Sequence, residues 1–146
     1  MPEDLSARES IQGAFDHSED DEYRDARELV GKDLQHLGLS EKSIKLVDLT
    51  LFLRNAARSN IIKHNWETPS PPLAMVSSEF KQLLSDDPDT IKTELVASRI
   101  YLESLLDANR AIPQEHEMGA LPEDVQDRLE QKTLPAISLT LNHFIK

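Results

Sequence analysis

Arg54 and Arg58 stand one helical turn apart, and two guanidiniums at that spacing can jointly hold a carboxylate or a phosphoryl group. His64 follows Arg58 after five intervening residues. Arg54, Arg58 and His64 are therefore the candidate binding residues, with an anionic ligand or an acidic partner group as their target.

The stretch that must position them runs from Ser40 to Trp66 and reads as one long helix. On a wheel of about 100° per residue, Leu46, Leu49, Leu53, Ala56 and Ala57 form one apolar arc. Ile44, Val47, Leu51, Ile61 and Ile62 form a second, and Arg54 and Arg58 lie within it. Lys45, Asp48, Asn55, Ser59 and Lys63 are left for solvent, with Phe52 among them. A helix apolar on two sides belongs in the middle of a bundle. Charges that continue an apolar stripe cannot stay buried alone. Either their stems pack while the heads reach water or a neighbouring carboxylate, or the pair faces a groove that accepts an anion.

The remaining elements follow from period and punctuation. Tyr23, Ala26, Leu29, Val30, Leu34 and Leu37 repeat at three and four, predicting a helix from about Asp21 to Leu37 despite Gly31. Gly38 can take the left-handed conformation that ends it, and Ser40 can cap the next helix. Thr68-Pro69-Ser70-Pro71-Pro72 stops the long helix, and a short third helix follows through Leu73, Val76, Phe80, Leu83 and Leu84. Asp87-Pro88-Asp89 opens a fourth, long enough to lie along the central one and ending near Arg110. After a loop, Leu121-Pro122-Glu123-Asp124 opens a fifth, which Pro135 should break or kink. Leu134, Ile137, Leu141 and Phe144 have helical spacing, although Ile137 to Leu141 also alternates like a strand; helix is the better reading because no partner strand is evident.

The fold expected is all-α: a single bundle of five or six helices around a central buried helix, residues 21–146, preceded by a disordered acidic tail, residues 1–20. The chain carries a net charge of −11, and Met1 to Leu29 alone holds ten acidic and three basic residues. Leu39 to Trp66 reverses the balance, with five basic and two acidic residues. The central helix is thus the basic part of an acidic protein, and broad nucleic-acid binding is disfavoured because the overall field repels phosphates.

Absence of cysteine excludes disulfides, thiolate metal sites and cysteine nucleophiles. The five histidines are not spaced as a helical metal pair, and the acidic run Asp16-His17-Ser18-Glu19-Asp20-Asp21-Glu22 lacks the glycine and terminal glutamate of a calcium loop. Glu115-His116-Glu117 reads as a solvated loop. No metal or cofactor is expected. The acidic start Met1-Pro2-Glu3-Asp4 does not read as a signal peptide, and no apolar run approaches a membrane span. An intracellular soluble protein is expected, cytoplasmic or nuclear, with a protein partner and no membrane.

No phosphate loop, nucleophile elbow or zinc pattern occurs, which turns the reading away from an enzyme. One catalytic pattern remains. Arg58-Ser59-Asn60-Ile61-Ile62-Lys63-His64 resembles the arginine-histidine spacing of the HEPN-type helical nucleases. That resemblance implies Arg58 on a phosphate and His64 in metal-independent RNA cleavage. The principal expectation is a non-catalytic interaction, adaptor or regulatory protein that binds another macromolecule through helix faces. An acidic inhibitor of a basic partner, toxin-neutralising or nucleic-acid-mimicking, is the second binding reading.

Overall fold

A computed structural model describes residues 21–63, 71–112 and 121–144, and these residues contain helices and no strand. The acidic segment 1–20, His64 and the Glu115-His116-Glu117 loop lie outside the described residues.

Helix α1 spans Asp21–His36 and α2 spans Glu41–Lys63. Between them Gly38 has a φ of 82°, the left-handed conformation anticipated from its place after the last periodic residue. Its neighbours close the turn, with the Leu39 amide donating to the Leu34 carbonyl at 3.3 Å. Ser40 caps α2 as expected: its Oγ accepts from the Ser43 amide at 3.4 Å. The same hydroxyl donates to Glu94 Oε1 at 2.7 Å, so the cap also joins two helices.

Helix α3 spans Pro71–Asp86 and α4 spans Pro88–Ala111. Pro88 starts α4, where its missing N–H costs nothing. Asp87 occupies the cap position but its side chain makes no capping bond, contrary to the expectation from Asp-Pro-Asp. Only its carbonyl contributes, accepting from the Ile91 amide at 3.2 Å.

The last stretch holds α5, Glu123–Arg128, a π-helical turn, Leu129–Thr133, and α6, Leu134–Leu141, before a 3₁₀ turn, Asn142–Phe144. Pro135 was expected to break or kink this helix. It does not break it: the helix runs on through the π turn, in which the Leu134 amide reaches back five residues to the Leu129 carbonyl. A proline removes one ladder donor and crowds the carbonyl four residues before it, and widening the preceding turn relieves the crowding.

Helix α2 packs against α1, α3, α4 and α6. Leu46, Val47, Leu49 and Ala56 are buried, while Leu53 is half-buried and Ala57 is exposed. Phe52 corrects the wheel: assigned to the solvent strip, it is fully buried. The strip it occupies is where α1 docks, with the Arg27 guanidinium 5.9 Å from the Phe52 ring centre and its Nη1 donating to Asp48 Oδ1 at 2.7 Å. Truncating so large a buried ring costs about 3–5 kcal/mol.

Candidate anion-binding cleft

Where α1, α2 and the π turn with the start of α6 meet, a cleft of about 130 Å³ opens to the surface. Arg27, Arg54, Arg58 and Lys132 line it, joined by the amides of Asn55 and Gln131. Val30, Leu51 and Pro135 supply its apolar lining. Among the described residues that line it none is acidic, in a chain whose net charge is −11.

Each wall arises from a local cause. Arg54 and Arg58 project together because they are one turn apart on α2, continuing the line of Val47 and Leu51. Val47 is buried and Leu51 half-buried, whereas both arginines are exposed, so the stripe ends in charge where it reaches the cleft. Arg54 also borders a second concavity of about 320 Å³, beside Phe80 and His143. Of the sequence candidates, the cleft brings Arg54 and Arg58 together; His64 lies outside the described residues.

Arg27 forms the inner wall. Its residue is only 8 % exposed and it is paired with Asp48. Burial pushes the Asp48 carboxyl above the usual carboxylate range, against the opposite pull of Arg27. That ion pair ties α1 to α2 beside the cleft.

The opposite wall depends on the π turn, which carries Gln131 and Lys132. Asp33 on α1 holds both of its ends. Arg128, immediately before the turn, donates from Nε to Asp33 Oδ2 and from Nη2 to Oδ1, each at 2.8 Å. Thr133, the last residue of the turn, donates its hydroxyl to Asp33 Oδ2 at 2.7 Å. The hydrogen bond to Asp33 raises the Arg128 pKa further.

The chain matches no protein-family model, no curated protein and no solved structure. Two guanidiniums, an ammonium and two amides can hold an oxyanion from several directions. Among the described residues no three His, Asp or Glu side chains gather to hold a metal ion.

Sequence reasoning missed Arg27, Lys132, Asn55 and Gln131 as partners of the arginine pair. Asp33 had a usable signal: it sits three residues after Val30 and four before Leu37, an acid inside an apolar stripe. Such a carboxylate requires a cationic partner from elsewhere in the chain.

Proposed function

We propose that this chain is a non-catalytic interaction protein, an adaptor or regulator, that captures an anionic group of a protein partner in the cleft between α1, α2 and the π turn. In this reading the helices form one bundle around α2, and α2 presents Arg54 and Arg58 to the ligand. The observation that carries the reading is the convergence of four basic residues from three elements, Arg27 among them already paired with Asp48, with no acidic residue among the described residues of the lining. An acidic exterior supports selectivity, because it repels extended polyanions while the cleft admits a single anionic group. Ile100 and Tyr101, 57 % and 55 % exposed on α4, give a partner further apolar surface. No described helix is long and apolar enough to cross a membrane.

The test immobilises the full chain and compares partners recovered by the parent protein and by the Arg54→Leu, Arg58→Leu double variant, with circular dichroism as the folding check. A partner lost only with the folded double variant is the expected result. Recovery that persists through both substitutions removes the cleft from the function, and RNA cleavage by the purified chain would replace binding with catalysis.

A further inference from the structure

The cleft does not end at Lys132. Ala26, Gln131 and Lys132 also line an adjoining concavity of about 310 Å³, which continues along the outer side of α1 and α5. Leu29, 40 % exposed, borders this extension, and so do Asp124 and Asp127. Arg128 borders it too, but its guanidinium is engaged by Asp33. The whole groove is therefore cationic at one end, apolar at Leu29 and acidic at the other end. At a helical rise of about 1.5 Å per residue, Asp127 and Asp124 lie roughly 7–12 Å from Lys132 along the axis. An extended peptide covers that distance in about two to four residues.

Resting on the anion-binding reading above, we propose that the groove's occupant is a phosphorylated segment of a protein partner, with a phosphate monoester in the cleft and a basic residue two to four positions away against Asp124 and Asp127. The donor arrangement favours phosphate over carboxylate. One guanidinium already satisfies the two coplanar oxygens of a carboxylate, whereas this cleft is lined by Arg54 and Arg58 from α2 and by Lys132 from the π turn, more donors than a carboxylate uses and a set suited to a tetrahedral group. A second negative charge adds to the attraction of every lining cation. Charge complementarity sets the rest: a residue carrying the opposite sign is drawn to the acidic end, and an apolar residue between them covers Leu29.

The experiment titrates the full-length chain with three probes, following backbone and arginine side-chain resonances: inorganic phosphate, a short peptide bearing phosphoserine with leucine next to it and arginine three positions on, and the same peptide with aspartate for phosphoserine. The phosphopeptide should bind at least about tenfold more tightly than the aspartate peptide. Its affinity should rise between pH 5 and pH 7 as the second phosphate proton, of pKa about 6, leaves. Lys132→Gln should weaken it about tenfold, Asp124→Asn with Asp127→Asn should erase the preference for the distal arginine while phosphate binding persists, and Lys81→Gln on α3 should change nothing. Equal binding of both peptides, without pH dependence, overturns the phosphate assignment and leaves the anion reading standing. Binding of inorganic phosphate alone overturns the peptide occupant. Failure of all three probes to perturb the cleft overturns this inference and the anion-binding reading together.

Discussion

Asp33 grips Arg128 with two parallel hydrogen bonds of 2.8 Å across 95 residues of chain, and its 2.7 Å bond from Thr133 fixes the far end of the same π turn. One carboxylate thus spans the segment that carries Lys132 into the cleft. Asp33 is almost wholly buried, and Arg128 is about one-fifth exposed. Asp33→Ala should therefore destabilise the fold by about 2–4 kcal/mol, less than a fully buried pair because Arg128 retains some access to water. Thr133→Val should cost about 1–2 kcal/mol by removing one buried hydrogen bond. Urea unfolding checks both, and equal stability of either variant with the parent would contradict the arrangement.

Gly31 and Gly38 should respond oppositely to alanine. Neither has any atom within 4 Å of an added Cβ, so backbone conformation alone decides. Gly31 is inside α1, where alanine should stabilise by about 0.5–1 kcal/mol. Gly38, at φ 82°, should lose about 1–2 kcal/mol on becoming alanine. Thermal melting of the two single variants reads the sign directly.

Glu94 should make stability pH-dependent. Burial raises its pKa, but hydrogen bonds from the Ser43 and Ser40 hydroxyls and the Ser40 amide outweigh that, and the net direction is downward. A carboxylate depressed on folding stabilises fully above its unfolded value of 4.5 and loses that contribution as pH falls through the lower folded value. Asp48, raised by burial, works in the opposite sense, so acid relieves its cost. The stability gap between parent and Glu94→Gln should accordingly be present at pH 7 and shrink as pH falls below 4.5, as followed by urea midpoints; a gap independent of pH would refute the ionised-cap account.

How far the molecule could be read from its sequence tracks the range of the interaction. Gly38, Ser40 and Pro88 act on adjacent backbone, so their places were legible. The arginine pair was legible because Arg54 and Arg58 interrupt an apolar period. Phe52 was misread because the wheel does not say from which side α1 arrives, and α1 arrives over the strip that looked polar. Lys132 and Gln131 stayed hidden because the π turn before Pro135 changes the angular phase of every residue around it, and a fixed 100° period carries no notice of that.

Arg54 and Arg58 are proposed to serve a ligand rather than the fold, and the melting temperature of the Arg54→Leu, Arg58→Leu double variant tests this most directly. Both residues are exposed, two cations one turn apart repel each other, and an exposed contact of either adds little. The double variant should therefore melt within about 4 °C of the parent, roughly 1 kcal/mol, or above it, since exposed ion pairs contribute little. A fall of roughly 10 °C or more, several kcal/mol for a domain of this size, would show that the arginines hold the helices together and would contradict the account.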